Sequence, residues 1–132
     1  MSREERTGYR DLTYSKWHRS LDDSLTVIDI DWCEYCATCM APLALIETAR
    51  YSPGRRKSGV VTRNLAKMAG LPAYTVTFET ENDVIVRFHV QIEHAISEVP
   101  SGEFVVSPEQ WRQHMLKLRT KHDEETHVFH AF

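Results

Sequence analysis

The sequence lacks any hydrophobic run long enough to cross a membrane, and its first ten residues, MSREERTGYR, are too polar for a secretion signal. It also lacks internal repeats and low-complexity segments. These absences predict a chain without a membrane partner that stays in the cytoplasm. The composition, 42% hydrophobic and 27% charged over 132 residues, is typical of a single globular domain spanning residues 1–132.

Carboxylates are missing from one long segment. Between Thr48 and Phe78 there is no Asp or Glu, although the chain has 19 of them, and six of its 16 Lys and Arg residues fall there. The net charge of −3 excludes a generally basic nucleic-acid-binding protein, so a phosphate-binding surface would have to be local. The segment predicts either a DNA-binding surface or a solvated loop and helix. The predicted DNA contacts are Arg50, Arg55, Arg56, Lys57 and Arg63.

Cysteine is scarce, and the three cysteines, Cys33, Cys36 and Cys39, are too close together to form a disulfide framework. Their C-x₂-C-x₂-C spacing, over residues 33–39, is typical of a zinc knuckle, in which the Zn²⁺ would be structural. Tetrahedral zinc takes four ligands, so the fourth would be a distant histidine or a cysteine of a second chain. The alternative is a turn with incidental thiols.

Periodicity and turn signals predict the element order α-β-β-α-β-β-α, with a loop or short edge strand over 100–106. The predicted elements are a helix from a Ser2–Glu5 capping box to about Ser20, strands over 27–35 and 43–48, a helix over 61–69, strands over 73–80 and 84–92, and a helix from Ser107 to about Thr120. This order favours the α/β (α+β) class, with a central mixed sheet flanked by helices.

The C-terminal tail, from about residue 121, is polar and contains His122, His127 and His130. The spacings between these histidines do not place them on one helical face. We therefore expect a frayed tail there instead of a metal site.

The first two strands are predicted to form the hairpin around which the chain is organised. If they turn at about Thr38 and Cys39, facing residues have numbers that sum to about 78, which puts Asp31 opposite Glu47. Two carboxylates at the end of an apolar sheet are costly unless a cation lies between them. A divalent metal ion with oxygen ligands is the simplest explanation.

These pieces resemble the PD-(D/E)XK nuclease superfamily over roughly residues 16–78. The matching stretches are IDID (28–31), LALIETA (43–49), NLAK (64–67) and PAYTV (72–76). The resemblance implies a restriction-endonuclease-like core and a metal-dependent DNA endonuclease that hydrolyses phosphodiester bonds. It also implies Mg²⁺ or Mn²⁺ held by Asp31 and Glu47 with support from Asp29. A small nuclease with one site per chain is expected to act as a homodimer when it cuts both strands.

The sequence departs from the superfamily pattern at one position. Ala49 stands where the superfamily has the lysine that positions the attacking water, and alanine can neither donate a hydrogen bond nor carry a charge. Arg50, Lys57 and Lys67 are the nearby substitutes. Lys67 is the preferred catalytic residue, because its helix should cross the sheet near the end of the Glu47 strand. The alternatives are a degenerate, non-cleaving member and a non-catalytic zinc-knuckle module that binds nucleic acid or protein.

Overall fold

The computed structural model describes residues 11–55, 57–96 and 102–124. The elements in these ranges are, in chain order, α1 (Thr13–Arg19), β1 (Trp32–Tyr35), β2 (Pro42–Arg50), α2 (Val60–Ala69), β3 (Ala73–Glu81), β4 (Val84–His94), β5 (Glu103–Val106) and α3 (Pro108–Glu124). These elements confirm the predicted mixture of helices and strands, and the segment left open over 100–106 contains β5. The predicted Ser2–Glu5 capping box lies outside the described residues.

The five strands form one mixed sheet in which neighbours in sequence are neighbours in space. β2 and β3 are parallel, while the other three pairs are antiparallel. Parallel strands need a crossover connection, and α2 supplies it between β2 and β3. The fold is therefore α+β, with three helices and a mixed sheet within the described ranges.

The two longer helices, α2 and α3, pack on opposite faces of the sheet. Successive side chains of β2 point to opposite faces, so neighbouring residues of β2 contact different helices. Leu45 of β2 lies in one buried cluster with Ala66 of α2. Its neighbour Ile46 lies in the other cluster, with Trp111 of α3. Glu47 follows Ile46 and so returns to the α2 face, where the candidate site is built.

The β1–β2 hairpin has the predicted register. Trp32 faces Ile46, so the residue numbers sum to 78, and a bulge interrupts the pairing only near the turn. The predicted strand over 27–35 is wrong in length, because β1 begins only at Trp32. The backbone N–H of Thr48 donates to Oδ2 of Asp31 at 2.9 Å. The Asp31 side chain thus accepts the hydrogen bond that a backbone carbonyl of β1 would accept if the two strands stayed paired further.

Two predicted boundaries are confirmed: the break between the strands predicted over 73–80 and 84–92, and the start of the last helix at Ser107. The β3–β4 hairpin turns at Asn82 and Asp83, whose φ angles of 50° and 63° suit the tight turn that these short polar residues tolerate. At the start of α3, Ser107 Oγ accepts from the backbone N–H of Gln110, and the Gln110 side chain accepts from the backbone N–H of Ser107. This is a complete capping box.

The predicted end of the last helix at about Thr120 is wrong. α3 continues to Glu124, so His122 belongs to a helical turn and not to a frayed tail. The arginine and aspartate of an i,i+4 pair, Arg119 and Asp123, bond across this last turn at 3.1 Å and support it. Among the helices in the described ranges, none combines the length and the apolarity needed to cross a membrane.

Candidate functional site

Asp31 and Glu47 meet at the end of the β1–β2 hairpin. Since Trp32 faces Ile46, the next residue pair in the same register is Asp31 and Glu47. The bond from the Thr48 backbone N–H holds the Asp31 carboxylate at this end of the ladder. Both carboxylates therefore lie on the α2 face of the sheet, at adjacent strand positions.

Glu47 is a buried carboxylate, with only 2% of its surface exposed. Thr62 of α2, which is also buried, donates its hydroxyl proton to Glu47 Oε1 over 2.6 Å. An ionised carboxylate without partners would be very costly at such a position. Thr62 thus satisfies Oε1, and the second oxygen, Oε2, pairs with Lys57.

The ammonium group of Lys57 contacts both carboxylates. Its Nζ lies 2.5 Å from Asp31 Oδ2, 3.2 Å from Glu47 Oε2 and 2.9 Å from the backbone oxygen of Thr48. Three oxygen atoms, two from carboxylates and one from a carbonyl, thus surround a single cation. Lys57 lies in the loop before α2, ten residues beyond Glu47 in the sequence. The loop places its side chain beside the two carboxylates.

The charges of this group stabilise one another. Burial opposes the charge on Lys57, but hydrogen bonds and attraction from Asp31 and Glu47 outweigh it and raise the pKa of Lys57. Burial would likewise raise the pKa of Asp31, yet the bonds from Lys57 and from the Thr48 backbone N–H hold that pKa below its ordinary value. Lys57 is therefore an ammonium and Asp31 a carboxylate at neutral pH.

The other residues of the predicted metal and catalytic set lie apart from this group. Asp29 is exposed, and in the described part of the chain its oxygens do not join those of Asp31 and Glu47 in a cluster within 4.8 Å. Lys67 is exposed in the last turn of α2, on a different side of the helix from the buried Thr62. The lysine at the carboxylates is Lys57, which the sequence analysis ranked below Lys67.

The predicted DNA contacts are scattered. Arg50 follows Ala49 on the opposite face of β2, where its guanidinium donates to Thr80 Oγ1 over 2.7 Å. Arg55 is exposed in the loop, and Arg63 is half-buried on α2. Lys57 is held by carboxylates, and this ion pairing disagrees with its prediction as a phosphate contact. Arg56 lies outside the described residues.

A second group of possible ligands lies at the turn of the same hairpin. The side chains of Cys36, Cys39 and His122 place one ligand atom each within 4.8 Å of the others. Cys39 Sγ is 3.2 Å from His122 Nε2, and Cys36 is fully buried. This group could bind a metal ion such as zinc. Cys33, the third cysteine of the predicted knuckle, is exposed and lies outside this group.

The Cys36 thiol is prepared for deprotonation. Burial disfavours the charged thiolate, but hydrogen bonds from the backbone N–H groups of Cys39 and Thr38, with the nearby positive charge of Arg119, lower the pKa of Cys36 to about 6. Thiolates are the form of cysteine that binds metal. The turn therefore supplies a ligand in its binding form at neutral pH.

His122 is the functional candidate that the sequence analysis missed. A usable signal was present, since Trp111, Met115 and Leu118 form the buried stripe of α3 and His122 follows at the next position of the same stripe. The error lay in ending the helix at about Thr120. A longer helix would have placed His122 on the inner face.

Comparison of the chain with protein-family models, with curated proteins and with solved structures finds no match.

Proposed function

We propose that this chain is a metal-dependent DNA endonuclease of the PD-(D/E)XK type, which hydrolyses phosphodiester bonds at Asp31 and Glu47. The observation that supports this proposal best is the convergence of three oxygens, from Asp31, Glu47 and Thr48, on one cation. The superfamily that the sequence resembles uses an aspartate, a glutamate and the next residue's carbonyl for its metal. In this chain the same three groups surround Lys57 Nζ.

The donor atoms suit Mg²⁺ or Mn²⁺. All three are oxygens, which these hard cations prefer, and the Thr62 hydroxyl fixes the orientation of the Glu47 carboxylate. Asp31, Glu47 and the Thr48 carbonyl would hold the ion. A metal ion bound there would lower the pKa of a water molecule and neutralise charge that develops on the phosphate.

Lys57 would then do what the missing lysine of the motif does in the superfamily. Its Nζ already reaches the carboxylates, although its backbone lies in the loop before α2 and not on β2. A divalent cation bound by the same oxygens would repel the ammonium of Lys57 and displace it to the edge of the metal site. From there the three N–H donors of Lys57 can orient a water molecule or contact a phosphate oxygen.

We also propose that the chain has a restriction-endonuclease-like core. Its support is the hairpin with both carboxylates, followed by a helix that crosses over to a parallel strand, β3. For DNA as the substrate the support is the segment without carboxylates between Thr48 and Phe78, in which Arg55 is exposed.

The experiment is a cleavage assay on supercoiled plasmid and on branched DNA with Mg²⁺ or Mn²⁺. Glu47→Gln keeps an oxygen to accept from Thr62 but removes the charge that holds the metal. Loss of several kcal/mol of metal-assisted stabilisation predicts a rate roughly 10³-fold lower, with an unchanged circular dichroism spectrum. Glu34→Gln, which changes an exposed carboxylate of the same hairpin, is the matched control and should cleave like the parent. Equal activity of parent and Glu47→Gln would refute the assignment.

A degenerate, non-cleaving relative of these nucleases is the second candidate. It is favoured by the ammonium of Lys57, which lies among the three oxygens and offsets one of the two carboxylate charges. A chain of this kind would bind DNA but neither take up Mn²⁺ nor nick plasmid. Calorimetric titration with Mn²⁺, run beside the cleavage assay, separates the two candidates.

A further inference from the structure

We propose that Cys36, Cys39 and His122 bind one structural zinc ion that fastens the β1–β2 turn to the last turn of α3. The three ligand atoms already lie within 4.8 Å of one another, although His122 is 83 residues beyond Cys39 in the sequence. This site is separate from the carboxylate site and does not depend on the proposed nuclease activity.

The cysteine turn is built as a rigid ligand holder. Cys36 donates its backbone N–H to the Ala41 oxygen over 2.8 Å, and its carbonyl accepts from the Met40 backbone N–H over 2.6 Å. Met40 adopts a φ of 67°, a left-handed conformation that is unfavourable for a residue other than glycine. Such strain persists only where surrounding interactions enforce it. These bonds close the turn so that both thiols reach one point.

The last two turns of α3 approach the cysteine turn through two side chains. Arg119 Nη2 donates to Thr38 Oγ1 at 3.4 Å, and His122 Nε2 contacts Cys39 Sγ. Trp111, one end of the buried stripe that leads to His122, is anchored in the sheet core. The imidazole is therefore delivered by a helix whose position the core determines.

The chemistry of the three ligands selects zinc over magnesium. Two thiolates and a neutral imidazole are soft or intermediate donors, and two thiolates balance the charge of Zn²⁺. Three ligands leave one of the four tetrahedral positions for a water molecule or a further side chain. Magnesium and calcium, which prefer oxygen donors, have no ligand of that kind among these three.

The zinc ion would act on stability and not on the reaction. Cys36 is five residues beyond Asp31 along an extended chain, which separates the two sites by about 16 Å at 3.3 Å per residue. β1 has only four residues, all exposed, and among the described strands it pairs with β2 alone. A metal at its end would fix a strand that has little burial of its own.

The test measures two properties of the reduced, purified protein. They are its zinc content, by inductively coupled plasma mass spectrometry, and its melting temperature. We expect one zinc per chain in the parent and in Cys33→Ser, the matched control from the same turn. Cys36→Ser, Cys39→Ser and His122→Gln should each bind zinc at least 100-fold more weakly. Chelation should lower the melting temperature of the parent and of Cys33→Ser, and leave that of His122→Gln unchanged.

Cobalt substitution in the parent protein identifies the ligands without any mutation. The Co²⁺ form should show the absorption of a tetrahedral site with two thiolates. A charge-transfer band that fits three thiolates, together with zinc loss in Cys33→Ser, would overturn the proposal in favour of the all-cysteine knuckle. A reduced parent protein that takes up no zinc would overturn it outright. Glu47→Gln should keep its zinc, so failure of the nuclease proposal would not be mistaken for failure of this one.

Discussion

Lys57 decides how the carboxylate site works, because its ammonium and a divalent cation would compete for the same three oxygens. In Lys57→Ala the competitor is gone, so we expect tighter Mn²⁺ binding by calorimetry. If the ammonium also orients the attacking water, cleavage should fall by about 10²–10⁴-fold, the range of a general acid–base group. The two effects have opposite signs, which a simple loss of folding would not produce.

Two variants serve as controls for this prediction. Lys67→Ala removes an exposed lysine that lies apart from the carboxylates and should leave metal binding and cleavage unchanged. Adding Ala49→Lys to Lys57→Ala restores the superfamily's lysine on β2 and should recover part of the activity. A Lys67→Ala chain that loses cleavage while Lys57→Ala keeps it would return the catalytic role to Lys67.

Thr62 is predicted to be essential to stability because it satisfies a buried charge. Thr62→Val has a similar shape but cannot donate to Glu47, and a hydrogen bond to a charged group contributes about 1.5–3 kcal/mol. We expect the free energy of unfolding, measured by urea titration, to fall by about that amount. Thr62→Ser keeps the hydroxyl and should lose much less. Equal losses in both variants would show that packing matters there and not the bond.

His114 gives the protein a predictable pH dependence. Burial, and to a lesser extent the charge of Lys117, lower the pKa of His114 from 6.5, and the ring contacts the Tyr74 hydroxyl at 2.8 Å. Below pH 6.5 the unfolded chain binds a proton that the folded chain does not yet bind, so stability falls as the pH falls until the folded pKa is reached. His114→Gln should lose this part of the slope. Urea titrations of the parent and of His114→Gln between about pH 5 and 8 measure the difference in the free energy of unfolding. The contributions of the other histidines are the same in both proteins and cancel in that difference.

At the scale of elements, the loop between β2 and α2 is the predicted DNA contact. Neutralising Arg55 and Arg56 together should weaken DNA binding and reduce the slope of log affinity against log salt by about 1.8, at 0.9 for each lost phosphate contact. Lys57 is left out of this variant because carboxylates hold it. Arg112→Ala, which removes an exposed arginine of α3, is the control and should leave the slope unchanged. An unaltered slope in the double variant would mean that the loop faces only solvent.

At the scale of the whole molecule, the hairpin joins two separate sites, one at each end. Glu47 lies against α2 on one face of the sheet, and Cys39 lies against α3 at the turn. Sites more than about 7–10 Å apart without shared partners usually act additively, within about 0.3–0.5 kcal/mol. Glu47→Gln and His122→Gln should therefore change the free energy of unfolding additively in the double variant. A larger coupling would indicate that the hairpin transmits strain between the two ends.

The sequence alone was sufficient for features that depend on neighbours along the chain. Alternation along β1 and β2, with the turn between them, predicted the register that pairs Trp32 with Ile46 and so brings Asp31 to Glu47. The Ser107–Gln110 capping box was equally predictable. In both cases the physical cause is local, because backbone geometry and hydrogen bonds over a few residues determine the outcome.

The tertiary structure alone decided which distant side chains complete each site. Local periodicity places a residue on a face of a strand or helix, but it does not state how far a loop carries Lys57 towards Glu47 or where a helix end delivers His122. Lys67 was chosen because its helix was expected to cross the sheet near the Glu47 strand, and Cys33 because of the cysteine spacing. Packing brought Lys57 and His122 to the two sites instead. The reason is that α2 and α3 are positioned by the buried contacts of Ala66 and Trp111 with the sheet, which join residues far apart in sequence.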